Sequence, residues 1–447
     1  MMEPTGAVPV HDAVYTRRVI DLTMRLAEVI FAAGAGAEDA TAAMQAVARA
    51  YGLRNTEADV THTVLALSYE DPVTHESTAR SRNVKYRTLD YSKLTATSEL
   101  IAELIEHPID VLDARKRLAV IISSKPRIPV LARRIGWSLV GAGAAVLIGG
   151  GPVVLVAAFI ATFFIDLITT VMANRRLPVF YQSVAGGAVG PVAAAVVQVL
   201  DPTASPSIVV VAAIIMLLAG VTTFGAVHDI LSGFYITGTA RIMEAILVTG
   251  GLVTGVAGAD FLLGRLGLRL HIGAATPPTL ADLPVLLAAS VVIVLGFALA
   301  VQVPRRAFWV VCLLGALAEF LFLTASGAAF GLVWSSAMSA IGVGLVAAIA
   351  ARLVRTPPLV IVVSALVPLV PGLTLFRGLL QMSEGDIMGL LSMITAAAIA
   401  AALAAGAILG QFIVQYLWGP ARRLQRRFIG PLMALPVRLG RGPTGRI

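Results

Sequence analysis

Among the titratable side chains that interrupt the long apolar runs of this sequence are Asp166, His228, Asp229, Arg241, Glu244 and Glu319. A charge at mid-bilayer costs about 2.5 to 3.5 kcal/mol on insertion scales, so residues of this kind are functional candidates by default. Asp229, Arg241 and Glu244 gather around one interruption between two runs, and His228 beside them is of the type that titrates near neutral pH. Asp166, in Phe-Phe-Ile-Asp-Leu, and Glu319, in Leu-Ala-Glu-Phe-Leu, lie deep in their runs, where a carboxyl that exchanges a proton could act as a relay. Pro371-Gly372 removes helical hydrogen bonds and frees carbonyls that only a cavity or a neighbouring helix can satisfy, which reads as a broken helix beside a solute path. Plainer roles exist for each. Arg241 and Glu244, three apart on a helix, can pair with each other or anchor an interface; Asp166 or Glu319 can hydrogen-bond a neighbour; Pro371 can be a packing kink.

The elements that must position these residues follow from composition. Of 447 residues, 57% are apolar, only 13% are charged and 6% are aromatic, at a mean hydropathy of +0.86. An ordinary soluble domain is roughly 25% charged, so the chain reads as a polytopic α-helical membrane protein. Residues 1–134 hold 17 Lys+Arg and 17 Asp+Glu, whereas residues 135–447 hold 17 Arg and 9 Asp+Glu, so the net charge of +8 belongs to the apolar part. Those arginines sit between apolar runs and in a C-terminal tail, not interleaved with aromatics on one face, which argues against nucleic-acid binding. The single Cys312 and six scattered His give neither a disulfide nor a metal-ligand spacing, and no cofactor is expected. No basic stretch followed by a short apolar run marks a cleaved signal.

Residues 1–130 read as a small α+β cytoplasmic domain of order α-α-β-β-α-α. Its helices are expected at Arg17–Ala33, Glu38–Tyr51, Tyr91–Glu106 and Asp110–Ser123, and its strands at Thr61–Ser68 and Asn83–Leu89. Ten spans follow. Ile135–Ala173 is cut into two at Gly149-Gly150-Gly151-Pro152; the others are Pro178–Leu200, Ile208–Val227, Arg241–Leu263 after an interrupted stretch at 228–240, Pro284–Val303, Ala307–Thr324, Ala329–Ala351, Pro357–Leu380 and Ile387–Trp418. This divides the membrane part into halves at 131–270 and 271–420, with a basic cytoplasmic tail at 421–447. Arg133-Arg134, Arg175-Arg176, Arg305-Arg306, Arg352/Arg355 and the tail then share one side, which puts both termini in the cytoplasm. Five spans per half make the second half start outside, the arrangement of an inverted-topology repeat; Ile242-Met243 and Ile387-Met388 are its thin sequence support.

Several strings resemble one known family, the threonine/serine exporters. They are Ala33-Gly34-Ala-Gly36-Ala-Glu-Asp39 with Ala50-Tyr-Gly52-Leu53, and Asp113-Ala-Arg-Lys-Arg-Leu118; then Gly225-Ala-Val-His-Asp229-Ile-Leu-Ser-Gly233, Thr239-Ala-Arg241-Ile-Met-Glu244-Ala245 and Val367-Pro368-Leu-Val-Pro371-Gly372. The resemblance implies a fused two-part exporter in the cytoplasmic (inner) membrane of a bacterium. It would move small hydroxylated amino acids outward at the expense of the proton gradient, with relatives that handle small dicarboxylates. Its partners would be the substrate, protons and lipid, and a homo-oligomer is left open. For a zwitterion, Arg241 would supply the cation for the carboxylate, Asp229 or Glu244 the acceptor for the ammonium. Two other classes stand beside it: a membrane-bound hydrolase using Ser68, His75 and Glu76, and a membrane protein with no substrate. Gly34-Ala-Gly36 resembles a dinucleotide fingerprint, but it follows a helix, so a helix–helix turn is the reading.

Overall fold

The computed structural model describes residues 12–84, 87–202, 204–218, 220–268, 282–383 and 385–417. The expected tail at 421–447, the linker around Arg269, Pro277 and Pro278, and Glu384 lie outside the described residues. The chain forms two compact units that meet in sequence at Lys125/Pro126.

The first unit holds α1 (Ala13–Ala32), α2 (Ala37–Ala50), β1 (Thr56–Thr61), β2 (Val64–Glu70), β3 (Ser77–Asn83), α3 (Tyr91–Glu106) and α4 (Val111–Ser123). Asp12, Asp90 and Asp110 cap α1, α3 and α4 with their carboxylates, each accepting a hydrogen bond from a backbone N–H in the first turn. Gly34, at φ +114°, carries the α1–α2 turn, so the glycine pair there is a helix junction. The sheet is a three-stranded antiparallel meander: the expected strand Thr61–Ser68 corresponds to β2, the expected strand Asn83–Leu89 shares only Asn83 with β3, and β1 was not expected. Only β2 (Val-Leu-Ala-Leu-Ser-Tyr-Glu) has apolar alternation. The flanking strands Thr-Glu-Ala-Asp-Val-Thr and Ser-Thr-Ala-Arg-Ser-Arg-Asn are polar edges that no hydrophobic period announces. Asp21 of α1 pairs with Arg25 on its own helix, with Arg80 and Arg82 on β3 and with Arg115 on α4, which ties sheet and helices over a core of Val19, Ile20, Leu22, Leu26, Ile30 and Phe31.

The second unit is helical. Among the described residues, eight of its helices are long and apolar enough to cross a membrane, and two bent pairs bring the number to ten if each pair is one span. Its elements run α5 (Val130–Leu147), α6 (Pro152–Asn174), α7 (Val179–Leu200), α8 (Pro206–Ile214), α9 (Gly220–Leu231), α10 (Tyr235–Arg265), α11 (Leu283–Ala300), α12 (Phe308–Gly327), α13 (Gly331–Leu353), α14 (Pro358–Leu366), α15 (Gly372–Ser383) and α16 (Met388–Leu417).

The lengths come in two matching sets. The first set is 18, 23, 22, 9, 12 and 31 residues for α5 to α10. The second is 18, 23, 23, 9, 12 and 30, counting the 3-10 turn Arg305–Ala307 with α12. The packing also runs in step: α7 lies on α10 as α13 lies on α16, and α6 on α8 as α12 on α14. In the α7/α10 and α13/α16 pairs, glycines let backbones touch. A Cβ at Gly251 would lie 2.7 Å from the carbonyl oxygen of Phe180, and one at Gly255 would strike that of Val184, so α7 and α10 run parallel; Gly406 and Gly410 meet Ala337 and Ile341 of α13 in the same sense. The first helices of the two sets, α5 and α11, cross antiparallel, with Gly136 against Gly296 and Gly143 against Ala289.

Sequence and structure differ at the fourth span. The helix does not stop at Val227: α9 carries His228 and Asp229 to Leu231, and the turn is at 232–234. The interruption comes earlier, at Leu218, where no proline flags it.

Candidate functional site: two broken helices that meet

Each bent pair has the same construction. A nine-residue helix (α8 or α14) ends in a 3-10 turn, Ile215–Leu217 or Val367–Leu369. The next residue is extended, Leu218 at φ −63°, ψ 127° or Val370 at φ −65°, ψ 133°, and a twelve-residue helix (α9 or α15) begins at Gly220 or Gly372. The extended residue breaks the ladder, which leaves carbonyls at the end of the first helix and N–H groups at the start of the second without helical partners. The bends are 49° and 48°. The two breaks touch: a Cβ on Gly372 would lie 2.7 Å from Leu218 Cβ and 3.6 Å from the Gly220 nitrogen, while one on Gly220 would strike Val370 and come within 3.5 Å of the Gly372 nitrogen. Glycine is needed at both places because each helix start sits against the other break. Pro371-Gly372, expected to mark a broken helix, is therefore at the meeting point of two.

Asp229 and Arg241 come together as an ion pair, Nη1 to Oδ2 2.5 Å, with side chains 0% and 8% exposed. Arg241 Nη1 also lies 3.4 Å from the Gly225 carbonyl. The turn after α9 folds α10 back so that Gly238 packs on the Ala226 carbonyl and Ile230, which sets the register of the pair. Arg241 thus partners Asp229 on α9, while Glu244 on its own helix is exposed. His228 is buried, and its Nε2 has no hydrogen-bond partner among the described residues. The second set copies this corner without charge. Gly389 packs on the Gly378 carbonyl and Met382, and Ser392 Oγ donates to Gln381 Oε1 at 2.8 Å where the first set has Arg241 and Asp229. Sequence reasoning passed over Gln381 and Ser392, because uncharged polar residues in an apolar run raise no alarm.

The two deep carboxylates occupy equivalent places: each is the fifteenth residue of its 23-residue span, Pro152–Asn174 or Arg305–Gly327. Their surroundings differ. Asp166 Oδ2 lies 3.4 Å from Arg134 Nε. Glu319 is 5% exposed, and its Oε2 is buried with no partner among the described residues. In the first unit, His75 Nδ1 sits 3.1 Å from Glu70 Oε1 on an exposed turn, while Ser68 lies within β2. Among the described residues no cluster of three or more His, Cys, Asp or Glu is placed to hold a metal ion.

Residues 21–262 match the family described as "Putative threonine/serine exporter", and residues 286–413 match "Threonine/Serine exporter, ThrE". The chain belongs to the threonine/serine exporter family. This is a transporter family, so the hydrolase reading built on Ser68, His75 and Glu76 falls. Among curated relatives, the "Probable threonine/serine exporter" of Mycobacterium tuberculosis is 30% identical over 97% of this chain and 85% of its own length. The "Threonine/serine exporter" of Corynebacterium glutamicum is 28% identical over 94% of this chain and 87% of its own. No solved structure matches. The first family match ends near the end of α10 and the second begins within α11, so the family boundary falls between the two matching sets of helices.

Proposed function

We propose that this protein exports threonine and serine across the bacterial inner membrane in exchange for protons, by alternating access of two inverted five-span halves around the junction of the broken helices. The observation that carries this reading is the meeting of Gly220 and Gly372, which brings the N-termini of α9 and α15 to one place. Helix N-termini carry free N–H groups and partial positive charge, suited to a carboxylate, while the freed carbonyls closing α8 and α14 suit an ammonium. A small zwitterion needs both at once. The matching lengths and pairings support an inverted repeat, and the arginine distribution supports cytoplasmic termini.

Asp229 lies nine residues beyond Gly220, about 13 Å along the helix at 1.5 Å per residue, farther than a bound threonine reaches. In this reading the Asp229–Arg241 pair holds α9 on α10 instead of contacting substrate at the junction, and exposed Glu244 stays outside the path. Of the candidates Asp166, Glu319 and His228, protons would couple through Glu319, a buried carboxyl with no cation partner among the described residues, while Asp166 is held by Arg134. A second reading, small dicarboxylates, is favoured by the presence of two helix N-termini at the junction, one for each carboxylate.

The test is efflux of labelled threonine from proteoliposomes holding the purified protein, with and without an acid exterior. The proposal expects efflux faster than from protein-free vesicles and accelerated by the pH gradient. Efflux equal to that of protein-free vesicles overturns it, and efflux of succinate in place of threonine selects the second reading.

A further inference from the structure

Asp166 and Glu319 stand at the same position of two matching spans, yet only one of them has a cation. Arg134, which pairs with Asp166, is the fifth residue of α5; the fifth residue of α11 is Leu287. The local packing confirms the correspondence. Gly141 of α5 meets Thr162 of α6, and the equivalent residues Val294 of α11 and Gly315 of α12 meet likewise. Glu319 is thus a carboxyl in a place where its counterpart is neutralised and it is not.

Among the described residues its neighbourhood holds no substitute. The elements packed on α12 are α11, α13, α14, the 3-10 turn Val367–Leu369 and the short turn Arg305–Ala307. The charged and titratable groups among them are Arg305 and Arg306 before α12, Arg352 in the last turn of α13 and Asp282 capping α11, together with Cys312 on α12 itself. Arg306 and Arg352 stand thirteen residues from Glu319 and from Ser339 respectively, about 20 Å along the helix; Ser339 is the α13 residue whose hydroxyl donates to the Ala318 carbonyl at 2.7 Å. α14 and its 3-10 turn carry no charge.

Glu319 also lies level with the junction. In the first half, Ile165 of α6 and Leu217 at the break come together at Gly186. The equivalent residues of the second half are Ala318, next to Glu319, and Leu369, and α12 packs on the turn that contains Leu369. A lone carboxylate in such a site is tolerated only when a positive partner or a proton neutralises it.

From this we infer that Glu319 is the exchange site of the transport cycle: it binds either a proton or the ammonium of the substrate amino acid, and never both. This rests on the exporter reading above. The step balances as a displacement. The protonated Glu319 carboxyl gives its proton to water as the substrate –NH3+ docks on the resulting carboxylate, and a proton from the outside returns to it as the substrate leaves. Because an empty, deprotonated Glu319 has no neutralising group, return of the empty carrier requires the proton, which makes exchange obligatory. Asp166, already neutralised by Arg134, takes no part in this exchange.

Proton release on substrate binding tests the inference. Threonine is titrated into the purified, weakly buffered protein in detergent, binding is followed by calorimetry and protons by a pH dye. Wild type is expected to release up to one proton per threonine bound. Glu319→Gln is expected to release none, Glu319→Asp to retain release, and Asp166→Asn to release as wild type does. Release unchanged in Glu319→Gln, or lost in Asp166→Asn with threonine binding intact, overturns the inference. A wild type that binds threonine with no proton released overturns the inference alone, whereas a wild type that binds no threonine overturns the exporter reading beneath it.

Discussion

Removing one member of the Asp229–Arg241 pair should destabilise the membrane unit more than removing both. Asp229 is fully buried and Arg241 nearly so, with 2.5 Å between Oδ2 and Nη1. Truncating one partner of a buried pair strands the other charge, which costs about 3 to 5 kcal/mol, while replacing both charges can be close to neutral. The second half shows what a neutral version of this corner looks like, Ser392 hydrogen-bonded to Gln381. Asp229→Asn and Arg241→Gln are therefore each expected to lose about 3 kcal/mol or more, and the double variant less than either. The assay is unfolding of the purified protein by sodium dodecyl sulfate in mixed micelles, followed by helical circular dichroism. Single variants within about 0.5 kcal/mol of wild type, the range of an ordinary surface change, or a double variant equal to the sum of the singles, would refute the claim that the pair clamps α9 to α10.

Other consequences follow from contacts already described. Gly255→Val and Gly410→Val each place a side chain against a carbonyl of the neighbouring span, so each should cost about 1 to 3 kcal/mol and lower the yield of monodisperse protein by size-exclusion chromatography; Gly258→Val, with open space around it, should not. In the first unit, Tyr51 Oη donates to the Ile109 carbonyl at 2.9 Å, and Tyr51→Phe should cost about 1 kcal/mol in thermal or denaturant unfolding. Burial, with Tyr15 and Asp110 adding to it, pushes the Tyr51 phenol up to about 12 from its model-peptide value of 10.0. The unfolded chain gives up this proton first, so the stabilisation is whole below pH 10 and is lost as pH rises toward 12. Unfolding curves should therefore show an alkaline loss that is smaller in Tyr51→Phe.

Most of the membrane architecture was legible because lipid demands long apolar runs, and Gly149-Gly150-Gly151-Pro152 parted α5 from α6 where expected. The break at Leu218 was not, since nothing in Leu218-Ala219-Gly220 announces a lost hydrogen bond, whereas its twin carries Pro371. The Ile-Met pairs proposed as a trace of the repeat do not correspond in space. With Gly238 matched to Gly389, Arg241 matches Ser392, and Ile242-Met243 falls beside Met393-Ile394. Charge in an apolar run pointed to Asp229, Arg241, Asp166 and Glu319, but sequence could not say who pairs with whom. Arg241 finds Asp229 across a turn instead of Glu244 on its own face, and Arg134 finds Asp166 from the preceding helix. The polar edge strands β1 and β3 were misread for the opposite reason, their stability coming from the ladder to β2 and not from apolar alternation.

The most direct test of the substrate junction is thiol protection. With the single Cys312 replaced by Ser, cysteines are placed one at a time at Leu218 and Val370 and treated with a small hydrophilic thiol reagent, with and without threonine, in proteoliposomes that are shown to export it. The account predicts labelling at both positions and protection by threonine. Efflux that proceeds while both cysteines stay unlabelled, or are labelled equally with and without threonine, would contradict it.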